Sequence, residues 1–277
     1  MKKLFLSVAA IALSAVLATA QDINSVTETY NNGAAALASG EKASALDYFK
    51  SALTAAEAVG ADGAEIVGKC KDIIPQLMLS IAKEQIKGGS FDEAVSLLKE
   101  TSETASAYGD AESAADAVKL IPTAFIQKGS QLQKVKDNAG AAEAFKAALD
   151  ADPANGMAAI RLGTALNAMG DADAAIEAFE TAAQNGQAAT ANKQITNILL
   201  KKASGFLKTK DFKGAIEAAT KSLEFGESAN AYKIIGTASN ALGDKAAAVK
   251  NLSKYLELSP SAADAAQIKA AVEALSK

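Results

Sequence analysis

The 277-residue sequence contains no histidine, no tryptophan and a single cysteine. Without histidine the chain cannot form a Ser-His-Asp triad, a Cys-His pair, a HExxH zinc site or a His-ligated haem. One cysteine excludes an intramolecular disulfide and any cysteine-rich zinc or iron–sulfur site. These absences remove the commonest catalytic and metal-binding sites, so we predict a protein that is not an enzyme and has no cofactor.

Aromatic residues make up only 5% of the chain, although 49% of it is apolar. Alanine, the strongest helix former, supplies the largest part of that apolar fraction. Large β-branched residues, which favour strands, contribute little. We therefore expect an all-α fold in which helices carrying small side chains pack closely together.

Residues 1–20 have the pattern of a cleavable export signal. A basic start is followed by an uncharged apolar run over residues 4–17 and by the small-x-small sequence Ala18-Thr19-Ala20. The run is shorter than the roughly 20 residues that span a bilayer, so we expect cleavage between Ala20 and Gln21 and no membrane anchor. The predicted location is the periplasm, with secretion as the alternative. Cleavage removes two lysines and leaves 26 basic against 32 acidic residues, a net charge of −6.

A pattern of small and apolar residues with 4-then-3 spacing recurs six times. Three copies read Ala45-Phe49-Ala52, Ala141-Phe145-Ala148 and Ala175-Phe179-Ala182, and looser copies begin at Ala94, Ala215 and Ala248. The spacing places the three side chains of each copy on one helical face. Twelve residues before each first alanine lies Gly33, Ala82, Gly129, Gly163, Ala203 or Gly236. A residue without a large side chain there predicts that two helices cross closely.

A turn signal lies between each of these small residues and the first alanine of its copy, twelve positions later. These signals read Gly170-Asp171 and Gly243-Asp244 in two copies, where glycine can end one helix and aspartate can cap the next. On these residues the chain resembles the tetratricopeptide-repeat family, which stacks helix-turn-helix units of about 34 residues. The resemblance implies an α-solenoid of six units and a C-terminal capping helix over residues 261–277. The units are expected at about residues 26–59, 75–108, 122–155, 156–189, 196–229 and 229–262.

The expected units are not evenly spaced. The first alanines of successive copies are 49, 47, 34, 40 and 33 residues apart. Pro75 and Pro122 fall where a first helix should begin, but helical spacing continues on the N-terminal side of Pro75. We therefore expect lengthened helices that kink at the prolines. Lys136 and Lys210 replace the turn glycine, and a generic alanine-rich bundle is the alternative fold.

In the tetratricopeptide family, the first helices line a concave surface that holds an extended peptide or partner. Projecting that register onto the six units selects 36 positions, of which seven are Lys or Arg and none is Asp or Glu. The pattern predicts an electropositive groove for an acidic partner. The predicted partner-binding residues are Lys83, Lys87, Lys134, Arg161, Asn167, Lys201, Lys208, Lys233 and Asn240. The last two units contribute in full Asn197, Leu200, Lys201, Ser204, Leu207, Lys208, Asn230, Lys233, Ile234, Thr237, Asn240 and Ala241.

Other chemical motifs are incomplete. Ser96 and Lys99 match the SxxK pattern of serine acylases, but the partner elements of those enzymes are missing. Asp171, Asp173 and Glu177 resemble the start of a calcium loop without its glycine and terminal glutamate. Cys70 lies on an apolar stripe and is expected to be buried. The acidic chain has no basic run with interleaved aromatics, so we predict no nucleic-acid partner.

These observations predict a non-catalytic scaffold of the cell envelope that binds a protein or an extended peptide in its groove. The alternative is a small-ligand or glycan-binding accessory of an envelope uptake system. Sugar sites usually use aromatic platforms, of which this chain has few. An enzyme would have to use Ser-Lys or carboxylate chemistry.

Overall fold

The computed structural model describes residues 22–277, which form thirteen α-helices and no strand. They divide into two compact units between Val118 and Lys119. The helices of the first unit are α1 Ile23–Ala38, α2 Lys42–Ala58, α3 Ala64–Gly88 and α4 Phe91–Tyr108, and α5 Ala111–Lys134 continues into the second. The second unit then contains α6 Asn138–Ala151, α7 Gly156–Met169, α8 Ala172–Ala182, α9 Ala188–Lys208, α10 Phe212–Leu223, α11 Ala229–Ala241, α12 Lys245–Leu258 and α13 Ala265–Leu275.

Helices that are neighbours in sequence pack against each other, α1 to α4 in the first unit and α6 to α13 in the second. The second helix of each pair carries the 4-then-3 pattern, and its members form the core. Phe49, Phe145 and Phe179 are at most 1% exposed, and the alanines on either side of each ring are fully buried. The predicted all-α solenoid of helix-turn-helix repeats is confirmed.

The small residues of the first helices lie directly against large side chains of the second helices. A Cβ atom placed on Gly129 would lie 2.6 Å from the ring of Phe145, and one on Gly163 would lie 2.9 Å from the ring of Phe179. Both distances are well inside the ordinary carbon–carbon contact of about 3.5–4.0 Å. At Gly236 the obstacle is Leu252, 2.7 Å away. The close crossing predicted from the sequence is therefore present at these positions.

The turns between paired helices share one backbone conformation. Gly170 and Gly243 have φ angles of 89° and 84°, the left-handed region that glycine enters without a steric cost. Lys136 and Lys210 adopt the same region, with φ angles of 63° and 62°. That conformation costs a lysine about 1–2 kcal/mol. The packing of the helix pair must therefore offset this cost at the two turns.

Aspartates after these turns cap the next helix. The Asp171 carboxylate accepts a hydrogen bond from the Ala174 amide at 3.1 Å, and Asp244 accepts one from Ala247 at 2.9 Å. Asp137 and Asp211 do the same for α6 and α10. Each cap satisfies an amide that the first turn of a helix leaves without a partner.

The lengthened helices expected around Pro75 and Pro122 are present. Both prolines lie inside helices, because α3 begins at Ala64 and α5 at Ala111. The residues before each proline keep an apolar face, and Ile66, Cys70 and Ile74 are buried, so packing maintains a helix despite the missing amide donor. The 40-residue interval has a similar origin, since α9 has 21 residues whereas α7 and α11 have 14 and 13. Uneven spacing thus reflects lengthened first helices.

Replacing the glycine at a helix crossing should destabilise the protein although alanine is the better helix former. Gly163→Ala is expected to lower the free energy of unfolding by about 1–3 kcal/mol, because its methyl group would overlap the ring of Phe179. Gly205→Ala is the matched control, since nothing lies within 4 Å of a Cβ atom there. It should stabilise α9 by about 0.5–1 kcal/mol. Urea unfolding followed by circular dichroism measures both, and equal effects would contradict the crossing geometry.

Candidate functional site

A cleft of about 490 Å³ lies between α9 and α11 in the second unit. We call it the α9–α11 groove, and its lining residues are Leu200, Lys201, Ser204, Leu207, Asn230, Lys233, Ile234 and Thr237. All eight belong to the positions that the sequence selected for a ligand-facing surface. The structure therefore brings together eight of the twelve positions selected in the last two units, and Lys208 and Asn240 are not among them.

Helical periodicity explains why these side chains share one surface. The four residues from each helix are spaced by one, three or four positions, which keeps them on one face. The adjacent faces carry Ala203 on α9 and Ala231 and Ala238 on α11, all fully buried. Ile234 is buried and the two leucines are half-buried, whereas Lys201, Asn230 and Thr237 are exposed. The groove consequently has an aliphatic floor and a polar rim.

The two lysines of the groove differ in their electrostatic surroundings. Lys201 is exposed and forms no ion pair within residues 22–277. The Lys233 ammonium instead pairs with the Asp264 carboxylate and lies 5.4 Å from the centroid of the Tyr255 ring. Two hydrogen bonds lower the pKa of the Asp264 carboxyl, first the one donated by Lys233 and then the one donated by the Tyr255 hydroxyl. The bond to Asp264 also raises the pKa of the Tyr255 hydroxyl.

Asp264 and Tyr255 were not among the residues selected from the sequence. Tyr255 is the last member of the looser copy that starts at Ala248, so it was assigned to the core, where it is 4% exposed. Asp264 lies in the segment predicted as a capping helix. No short-range pattern links it to Lys233, because the two residues are 31 positions apart.

A neighbouring cleft of about 480 Å³ brings Asn167 close to Lys201. Its remaining lining residues are Gly170, Asp171, Ala172, Asp173, Ile198 and Lys202. Lys202 pairs with Asp173 at 3.1 Å, so charges of both signs border this cleft. The two aspartates of the calcium-like motif thus cap a helix and form an ion pair. Over residues 22–277, no three His, Cys, Asp or Glu side chains are arranged to hold a metal ion.

Arg161, the only arginine of the chain, is half-buried on α7. Its Nη1 atom donates a hydrogen bond to the Ser130 hydroxyl at 3.3 Å. Its Nε atom is buried and has no hydrogen-bond partner among the described residues. The guanidinium is therefore positioned by α5 without a carboxylate beside it in that part of the chain.

Lys83 lies in a cleft of about 420 Å³ in the first unit that also contains acids. Gln76, Leu79, Ser80 and Lys83 of α3 form one wall, and the other wall contains Asp110, Glu112, Ser113 and Asp116. The acidic wall consists of Asp110, immediately before α5, and of the turns of α5 that precede Pro122, all outside the register projected from the family. Gly109-Asp110 repeats the Gly-Asp pair of the other turns, and this signal could have located that wall.

Five predicted residues line none of these three clefts. One is the half-buried Arg161, and the others are exposed on their helices: Lys87, Lys134, Lys208 and Asn240. Ser96 and Lys99 are exposed on α4. Ala20 and Gln21, the predicted cleavage site, lie outside the described residues. Within the described part of the chain, none of the helices has the length and hydropathy needed to traverse a bilayer.

Stacked helix pairs with small residues at their crossings and glycine-aspartate turns define a helical-repeat protein. Residues 126–190 match the family profile described as tetratricopeptide repeat. No curated protein sequence matches it significantly.

Solved structures of similar fold include three proteins of low sequence identity. MamA (residues 41 to the end) from Desulfovibrio magneticus RS-1 is 21% identical, with 68% of this chain and 97% of that one covered and a TM-score of 0.35. YrrB, described as a TPR protein with an unusual peptide-binding site, is 16% identical, with coverage of 70% and 90% and a TM-score of 0.37. PilF from Pseudomonas aeruginosa is 15% identical, with coverage of 90% and 98% and a TM-score of 0.33.

Cys70 should be inert in the folded protein. It is fully buried, and desolvation raises the pKa of its thiol to about 11, so roughly a thousandth of it is thiolate at pH 8. An aromatic disulfide reagent added at pH 8 is expected to label one thiol per chain in urea and almost none without urea. Rapid labelling of the native protein, followed by absorbance, would contradict a purely structural role for this cysteine.

Proposed function

We propose that this helical-repeat protein is a non-catalytic scaffold that binds another protein through an extended, acidic peptide segment. The observation that carries the proposal is the α9–α11 groove, where an aliphatic floor lies beside two ammonium groups and none of the eight lining residues is acidic. An acidic protein with a locally basic cleft can attract an anionic partner while its outer surface repels other anions.

The polar rim of the groove suits a peptide backbone. The hydroxyls of Ser204 and Thr237 and the amide of Asn230 can both donate and accept hydrogen bonds, as a bound main chain requires. The floor formed by Leu200, Leu207 and Ile234 suits one aliphatic side chain of the ligand. Lys201, which has no ion-pair partner in the described residues, suits a ligand carboxylate.

The same lining favours a peptide over the alternatives. None of the eight side chains is aromatic, although stacking platforms are the usual basis of glycan binding. None is a carboxylate, an imidazole or a thiol, which are the usual general bases and nucleophiles of enzymes. The glycan-binding accessory therefore remains the second candidate, and an enzyme is disfavoured.

Reversing the charge of Lys201 should weaken the binding of an acidic peptide. The probe is a fluorescent nonapeptide with a central leucine flanked by glutamates, and its partner probe has lysines instead. Lys201→Glu is expected to reduce the affinity for the acidic peptide about five- to tenfold, because a weak attraction becomes a repulsion. Fluorescence anisotropy at low ionic strength measures the dissociation constants, and added salt should weaken binding to the unmodified protein.

Lys250→Glu is the matched control, since Lys250 is exposed on α12 and outside the groove. This variant makes the same change in net charge and should bind like the unmodified protein. Equal losses in both variants would show a non-specific charge effect. Binding of a glycan array with no binding of either peptide would support the second candidate and remove the peptide-binding role.

The cell envelope is the location proposed for this scaffold, and the support is the export pattern of residues 1–20. Cleavage between Ala20 and Gln21 should give a mature chain that begins at Gln21. Fractionation followed by mass spectrometry of the N-terminal peptide measures both the compartment and the cut. Ala18→Asp combined with Ala20→Asp, which removes the small residues of the cleavage site, should leave the signal attached. A cytoplasmic chain that retains Met1 would contradict the envelope assignment.

A further inference from the structure

The C-terminal segment places a carboxylate at one end of the α9–α11 groove. Asp264, immediately before α13, accepts hydrogen bonds from the Lys233 ammonium and, at 2.5 Å, from the Tyr255 hydroxyl. Lys233 lines the groove, whereas Tyr255 belongs to α12 and is buried. One carboxylate thus joins α11, α12 and the start of α13.

Asp264 does not behave like the other aspartates that precede helices. Asp137, Asp171, Asp211 and Asp244 each accept a bond from an amide of their own helix. Asp264 occupies the same position before α13, but its side chain caps no amide. Since an N-terminal cap is one of the stronger local contributions to helix stability, directing this carboxylate to Lys233 leaves α13 without it.

The helix α13 packs only shallowly, against α12. None of its residues is buried, and Ile268, Val272 and Leu275 are only half-buried. The Lys233 and Asp264 side chains remain 39% and 28% exposed, so solvent and a competing anion can reach the pair. A segment with few buried apolar contacts opens more easily than the core of a domain.

We propose that Asp264 is an intramolecular competitor for the groove, occupying the cation that would otherwise bind a carboxylate of the ligand. An acidic peptide that reaches Lys233 displaces Asp264, and α13 then loses the contact that ties its N-terminus to α11 and α12. The inference rests on the proposed peptide-binding function and adds a regulatory contact to it. Its consequence is that the free protein binds acidic peptides more weakly than its groove allows, because only the fraction with Lys233 released is competent.

The test compares Asp264→Asn with the unmodified full-length protein, using the same acidic nonapeptide. Asparagine keeps the size of the side chain and removes its charge, so the variant is expected to bind about three- to fivefold more tightly. Glu257→Gln is the control, since it removes one charge from an exposed pair with Lys254 on α12 and should leave the affinity unchanged. Tyr255→Phe, which removes only the hydroxyl that holds Asp264, should give a smaller increase.

Hydrogen exchange of the unmodified protein gives a second readout. Adding the peptide should slow exchange in α11 and accelerate it in α13, residues 265–275. If the peptide binds but Asp264→Asn does not bind it more tightly, or α13 exchange does not change, the competitor role is wrong and the groove remains a binding site. If the peptide binds to none of the variants, both the competitor role and the proposed peptide-binding function are wrong.

Discussion

The close crossing of the two helices in a repeat is the constraint on which the rest of the structure depends. The second helix contributes a buried ring at Phe49, Phe145 or Phe179, and the facing glycine leaves room for that ring. Where the first helix carries alanine, at Ala82 and Ala203, the corresponding residues of the second helix are the smaller Leu98 and Ala219. Interiors packed at crystal-like density allow such compensation but little excess volume. The crossing in turn determines which face of each first helix stays outside the core.

Much of this architecture was predictable from local patterns. The 4-then-3 spacing identified the buried face, and the Gly-Asp pairs identified turns and caps, because both depend on residues within one or two helical turns. Eight of the positions selected in the last two units line one cleft, because the crossing residues Ala203 and Gly236 fix the register of α9 and α11.

The errors have a different physical origin. The Lys233–Asp264 pair and the acidic wall beside Lys83 depend on which helices become neighbours, and a pattern within a single helix contains no information on that. Lys83, Lys201 and Lys233 therefore look equivalent in the sequence. In the structure one lies near acids, one has no ion-pair partner in the described residues, and one is already paired.

The lengthened first helices allow the charge of a cleft to differ while the buried register of the repeat stays the same. The added turns of α5 lie before the residues that cross the second helix, so they lengthen the repeat without altering its buried register. They nevertheless supply Asp110, Glu112 and Asp116 to the cleft beside Lys83. A repeat of this design separates the residues that maintain the fold from those that determine local charge. Insertions at the start of a first helix can therefore give separate clefts of one chain different charges, while the same small residues continue to hold the helices together.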